Sequence, residues 1–203
     1  SGLPIGIVLQ AYLKDAEECF KNILGWAKDL PIPLTIRLVR GAYWDTEIMK
    51  AQENHWLVPV WTKKHETDTC FERLTELILD NIPKVRLAVA THNIRSIAHA
   101  IALSEIKKTP KEFLEFQLLY GMGASLRKAL LESGFPPRMY TPIGDPIRGM
   151  AYLVRRLLEN VSTESFVRQG IHVQGDSHEL LISPFVIASP ERAKQSHPKI
   201  LLA

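Results

Sequence analysis

Five side chains able to hydrogen-bond recur near the carboxyl ends of strand-like stretches in this sequence: Gln10, Arg37, His92, Gln117 and Tyr140. Arg37 is the sharpest of them. It sits in "RLVRGAYWD", where Leu34, Ile36 and Leu38 alternate with Thr35, Arg37 and Val39, the period of a strand with two different faces. A guanidinium on an inward face is costly without a partner, so Arg37 points to an anionic or electron-rich partner. A second constellation lies further on. Tyr152, Arg155, Arg156 and Glu159 recur at i, i+3, i+4 and i+7, one polar stripe of a helix, opposite Met150, Leu153, Leu157 and Val161. The stripe reads either as a solvated face with an Arg155–Glu159 pair or as a two-arginine clamp for a carboxylate, whose oxygens guanidinium groups match in pairs.

Other motifs carry less. "GMG" at Gly121–Gly123 lacks the lysine of a P-loop and the spacing of a dinucleotide fingerprint, and reads as a turn. The seven histidines never make HExxH, and His172 and His178 read as polar loop positions, so no metal is expected. Thr62, Lys63 and Lys64 could reach phosphates or could simply be solvated. No nucleophile elbow and no Cys/His pairing is evident.

The elements that must position these groups alternate as strand and helix, the signature of repeated βα units around a parallel sheet. Strands are expected in "IGIVLQAY", "PLTIRLVRG", "KVRLAVATHN", "LEFQLLYGMG" and "RMYTPIG". Helices are expected in "DAEECFKNILGWAKDL", "TEIMKAQENH", "ETDTCFERLTELILDN", "IRSIAHAIALSEI", "ASLRKALLESG" and "GMAYLVRRLLEN", with "WLVPVWTKK" an irregular connection. Parity puts Ile7, Leu9 and Ala11 opposite Gln10, and Leu114, Phe116 and Leu118 opposite Glu115, Gln117 and Leu119. The carboxyl edge of a parallel sheet is where α/β proteins bind ligands. Five strands do not close an eight-stranded barrel, so the sheet is either open and doubly wound or part of a barrel.

The chain has 203 residues and a net charge of +3, too small and too evenly spread for a nucleic-acid binder. Composition is that of an ordinary globular protein. Cys19 and Cys70 lie far from any CxxC spacing and read as reduced thiols in an intracellular protein. "SGLPIGIVLQ" has neither the basic region nor the cleavage site of a signal peptide, and no apolar run approaches the roughly 20 residues of a membrane span.

Taken in order, "LQAYLKDA", "RLVRGAYWDTEI", "ATHN", "EFQLLYGMG", "YTPIG" and "YLVRRLLEN…SFV" resemble the proline dehydrogenase domain of the bacterial proline utilization A flavoproteins. The resemblance runs from about Gly6 to Val167. Trp44 in "GAYWD" resembles the bifunctional bacterial branch more than the short monofunctional enzymes. It implies an α/β fold of the (β/α)₈ TIM-barrel type, with only about strands 4–8 present in this chain. Residues 1–167 would form the C-terminal part of an FAD-binding barrel, and residues 168–203 a tail or linker. It implies oxidation of L-proline to Δ1-pyrroline-5-carboxylate, with FAD as cofactor and electrons passed to a quinone. The family also uses a lysine and an aspartate from earlier strands, which no position here matches. A fused Δ1-pyrroline-5-carboxylate dehydrogenase domain is an implied partner, and the implied location is the cytoplasm, with docking at the inner membrane through the parent protein.

The resemblance also assigns roles. Arg37 resembles the arginine beside the flavin N5 region, where a cation favours the anionic reduced ring. Val39 resembles its neighbouring backbone contact, Gln10 and Gln117 the hydrogen-bonding partners of the ring, and Trp44 the aromatic lying against the adenine. Gly41 lets the chain turn close by. Thr62, Lys63, Thr91, His92 and Asn93 resemble contacts to the ribityl, pyrophosphate and adenosine parts. Arg155 and Arg156 resemble the carboxylate clamp, with Glu159 orienting an arginine near the cofactor. Ala42, Tyr43, Leu119 and Tyr140 resemble the walls of the proline site. The implied catalytic set is Arg37, Tyr140, Arg155, Arg156 and Glu159. Two other readings stay open: a different (β/α)-barrel enzyme holding a phosphorylated ligand through Arg37 and the lysines, and a truncated non-catalytic module.

Overall fold

The structure, a computed structural model, describes residues 5–145 together with Ile147, Gly149, Met150, Tyr152 and Val154. The elements follow the alternation expected from the sequence: β1 (Gly6–Gln10), α1 (Ala16–Ala27), β2 (Leu34–Val39), α2 (Trp44–Glu53), α3 (Lys64–Leu79), β3 (Val85–Ala90), α4 (Ile94–Ile106), β4 (Leu114–Leu119), α5 (Ala124–Glu132) and β5 (Arg138–Tyr140). A 3-10 turn, Lys111–Phe113, leads into β4.

The strands form one sheet in the order β1-β2-β3-β4-β5, and each neighbouring pair is parallel. The order never reverses. Successive right-handed crossovers that always step the same way place their helices on one face of the sheet. The buried core fits that arrangement. Leu34, Ile36 and Leu38 of β2, Leu87 and Val89 of β3, and Phe116 and Leu118 of β4 pack with Phe20 of α1 and Phe71, Leu74 and Ile78 of α3. Burying one such side chain stabilises the fold by about 1.5–3 kcal/mol.

The opposite parity makes the second face. Thr35, Arg37 and Val39 alternate with the buried leucines of β2, and Glu115, Gln117 and Leu119 do the same on β4; all six are half-buried. This face is wetter at the sheet edges, where Val8 of β1 and Tyr140 of β5 are about half exposed.

Local signals explain most boundaries. Asn93 accepts a hydrogen bond at its Oδ1 from the Ser96 backbone N–H at 3.2 Å, capping α4 at a gain of about 1 kcal/mol. Glu66 accepts from the Lys63 backbone N–H at 3.0 Å and so closes the start of α3. The helix after "RLVRGAY" begins at Trp44, two residues before the sequence reading, because Asp45 and Glu47 fill its first turn, where acidic side chains suit the helix dipole. β5 is shorter than expected. Pro136 and Pro137 precede it and Pro142 follows, and proline donates nothing to a sheet ladder.

The helix expected over "GMAYLVRRLLEN" is helical at Gly149, Met150, Tyr152 and Val154. Arg155, Arg156 and Glu159, and the 168–203 segment, lie outside the described residues. Among the described residues no helix is long and apolar enough to cross a membrane.

Candidate functional site

Register brings the expected polar residues together on the second face. Arg37 of β2 pairs with Ala88 of β3, which pairs with Glu115 of β4. One step further along, Ala90 pairs with Gln117, and Gln117 with Arg138 of β5. Neighbouring strands are about 4.8 Å apart, so β2 and β4 are nearly 10 Å apart across β3. β3 carries only alanine between them, and the Arg37 side chain crosses over it. Its Nε donates to Gln117 Oε1 at 2.7 Å. Gln117 Nε2 in turn donates to Glu115 Oε1 at 2.7 Å, and Arg138 donates to Glu115 Oε2 at 2.7 Å. The face is therefore wired from β2 to β5. The electron-rich partner that the sequence demanded for Arg37 is found in part within the chain, as the Gln117 amide oxygen.

The carboxyl edge adds a second network around Arg40, which the sequence reading passed over. Arg40 Nε donates to Asp68 Oδ1 at 2.6 Å, and its two terminal nitrogens donate to Thr91 Oγ1 at 2.6 Å and Ser96 Oγ at 2.7 Å. Its guanidinium carbon lies 4.7 Å from the centre of the Phe71 ring, and Lys64 donates to the other Asp68 oxygen at 2.7 Å. Burial pushes the Asp68 carboxyl up, but Arg40 and Lys64 together outweigh it and hold the group below its ordinary value. A signal for Arg40 was present in the sequence. Its parity matches Leu34, Ile36 and Leu38, so it points to the helix side, where a lone cation needs an acid.

The expected contact residues line this edge. Thr91 Oγ1 accepts from both Arg40 and the Asn93 backbone N–H, so its hydroxyl helps hold the turn. His92 Nε2 accepts from the Leu119 backbone N–H at 3.3 Å. Burial holds this imidazole below its usual pKa, and the proton of the neutral ring then sits on Nδ1. Gly123, at φ +65°, admits the turn after β4 beside His92, where a Cβ would lie 3.1 Å from the ring. Thr62 and Lys63 are exposed immediately before α3.

The "RGAYWD" turn is tightly fixed. Gly41 has φ +135°, and a Cβ there would lie 2.4 Å from the Tyr12 ring. Tyr12 is buried, and its phenol pKa is raised by that burial and by Glu47 and Tyr43. The turn delivers Ala42, Tyr43 and Trp44 in succession; Trp44 Nε1 donates to the Trp61 carbonyl at 2.7 Å, which fixes a ring that remains partly exposed. At the far edge the Tyr140 and Tyr152 rings meet at 5.5 Å between centres, bringing the one described member of the Tyr152–Glu159 stripe to the end of β5. Gln10 and Val39 are register partners at the ends of β1 and β2.

A parallel sheet with a wired polar face, and helix N-termini at its carboxyl edge, places the chain among α/β proteins, whose ligands commonly bind at that edge. Comparison with known proteins makes the class specific. The family profile described as "Proline dehydrogenase" matches residues 1–169, and the chain belongs to that family. It is 35% identical to "Bifunctional protein PutA" of Escherichia coli, over 98% of this chain and 16% of that protein. It is 32% identical to "Proline dehydrogenase 1" of Bacillus subtilis, over 82% of this chain and 49% of the relative. Among solved structures, proline utilization A from Bdellovibrio bacteriovorus, inactivated by N-propargylglycine, superimposes with a TM-score of 0.84 at 45% identity, covering 88% of this chain and 19% of that one. The chain thus spans a small part of its bifunctional relatives.

Proposed function

We propose that this chain supplies strands four to eight of a (β/α)₈ proline dehydrogenase barrel that binds FAD and oxidises L-proline to Δ1-pyrroline-5-carboxylate, with electrons passed to a quinone. The observation that carries this reading is the Arg37–Gln117 pair on the polar face, in a chain of the proline dehydrogenase family. The unreversed strand order supports a barrel segment, since a doubly wound sheet reverses its order at a switch point. The small share of each bifunctional relative that the chain spans supports a longer parent, carrying the remaining strands and a fused Δ1-pyrroline-5-carboxylate dehydrogenase domain. That parent would be cytoplasmic and dock at the inner membrane.

The donor set suits a flavin dinucleotide on its own chemistry. Arg37 offers a fixed cation to a ring system that gains negative charge, and Gln10 and Gln117 offer amides to its polar rim. Val39 and Gly41 bring backbone close to it. Lys63 and Thr62 at the start of α3, and Thr91, His92 and Asn93 at the start of α4, suit phosphate and ribose oxygens. Trp44 presents an aromatic surface for the adenine. When bound, the flavin supplies the acceptor for the hydride that leaves the ring carbon next to the proline nitrogen.

The remaining work falls to positioning. Arg155 and Arg156 would hold the proline carboxylate as a bidentate clamp, and Glu159 would orient an arginine. Tyr140, Tyr43, Ala42 and Leu119 wall the ring and exclude water. Since none of these is a strong base, the amine must arrive neutral, and the rate rises with pH.

The test uses the full-length protein. It should purify yellow, with flavin absorbance that proline bleaches anaerobically, and proline turnover should rise from mildly acidic to alkaline pH. A colourless protein, or a flavin that proline leaves oxidised, would overturn the reading.

A further inference from the structure

Gln117 stands between two neighbours whose hydrogen-bonding chemistry runs one way only. A guanidinium has no acceptor, so Arg37 can only donate to it, and a carboxylate can only accept from it. Arg37 Nε meets Gln117 Oε1 and Glu115 Oε1 meets Gln117 Nε2, both at 2.7 Å. Turning the amide over would set N–H against N–H on one side and oxygen against carboxylate on the other. Glu115 is itself fixed at its second oxygen by Arg138 at 2.7 Å, and its side chain is about one quarter exposed. The four groups form a polarised line on the inner face: cation, amide, anion, cation.

We propose that Glu115 is a positioning residue of this site: it locks the Gln117 amide with its oxygen toward Arg37, and its negative charge sets how strongly the Arg37 end of the line stabilises charge on a bound redox ring. This rests on the flavin reading above and adds to it a residue that touches neither cofactor nor substrate. Glu115 precedes Gln117 by two residues on the same strand face, so it lies about 7 Å deeper along β4. At that range, on a partly buried face, a charge is only partly screened.

The sign follows. Removing the Glu115 charge leaves Arg37 less neutralised, favours the reduced and more negative ring, and moves the flavin midpoint potential upward. Removing the Arg138 charge does the reverse, and more weakly, because Arg138 is largely exposed.

The experiment measures the midpoint potential of the bound flavin by dye-equilibrated reduction of the full-length protein, with no substrate turnover involved. Glu115→Gln should raise the potential by about 30 mV, which is a tenfold change in the two-electron equilibrium. Arg138→Ala should lower it by less. Glu115→Asp, which keeps the charge, should stay closer to the parent than Glu115→Gln does. Loosening of the strand would not move the two charge removals in opposite directions. A loaded protein with unmoved potentials, or with both moved the same way, overturns this inference and leaves the proline dehydrogenase reading standing. A protein that carries no flavin overturns both.

Discussion

Replacing Gly41 by alanine should be the most damaging single-methyl change in the "RGAYWD" turn. Two separate costs meet there. The backbone holds φ at +135°, a conformation that an L side chain adopts only at about 1–3 kcal/mol. The added Cβ would also sit 2.4 Å from two atoms of the Tyr12 ring and 2.6 Å from a third. Carbon atoms rest about 3.5–4.0 Å apart, so ring or turn would have to move by about 1 Å or more. Tyr12 is only 3% exposed and has little room to retreat. Overpacking of this kind costs about 1–3 kcal/mol, for a total of about 2–6 kcal/mol. The components separate in a double-mutant cycle. In a Tyr12→Ala background the steric part vanishes and only the backbone part remains, so Gly41→Ala should then cost about 1–3 kcal/mol. The assay is urea unfolding of the full-length protein, followed through protease susceptibility of this segment. A Gly41→Ala cost below about 1 kcal/mol, or one equal in both backgrounds, would refute the argument from ring contact and backbone strain.

Asp68→Asn should destabilise the protein by about 2–3 kcal/mol at neutral pH through loss of charge-assisted bonds to Arg40 and Lys64. The folded carboxyl titrates below its ordinary 3.8, so its stabilisation is full above that pH and lost as pH falls through the folded value. The gap between parent and variant should therefore narrow only in acid, below about pH 4, in unfolding curves taken across pH. His92 behaves with the opposite charge. Its folded pKa is depressed below 6.5 by burial, so the unfolded chain binds a proton first and stability declines as pH drops below about 6.5; His92→Gln should flatten that decline. Ala88→Leu places bulk on β3 between Arg37 and Glu115 and should block the crossing to Gln117. The expected result is a loss of about 1–3 kcal/mol and at least a tenfold drop in proline-dependent flavin reduction.

Much of the architecture was written locally. Alternation in "LTIRLV" and "LEFQLL" assigned both faces of β2 and β4 before any coordinate, because period two is a property of the strand itself. The helices α1 and α3 followed from apolar spacing in the same way. Partnership was not legible. Parity says that Arg37, Glu115 and Gln117 share a face, yet only register shows that alanines at 88 and 90 leave a path between them. Arg40 shows a different gap. Its partners Asp68, Thr91 and Ser96 come from α3, the β3–α4 loop and α4, and no local pattern links them. The contact of Gly41 with Tyr12 depends on a dihedral angle and a distance, neither of which a residue name carries.

The unreversed order β1-β2-β3-β4-β5 also governs how the chain assembles. Each described strand pairs with the next one synthesised, so among the described strands no pairing waits for a distant segment to arrive. Three of the four closures bring together strand starts separated by about 25–30 residues, and the fourth, from β2 to β3, spans about 50 because α2 and α3 both intervene. Loop-closure entropy grows only with the logarithm of length, so that longest step costs about 0.5 kcal/mol more than its neighbours. These five strands can thus be added one βα unit at a time from either end, at nearly uniform entropic cost per step.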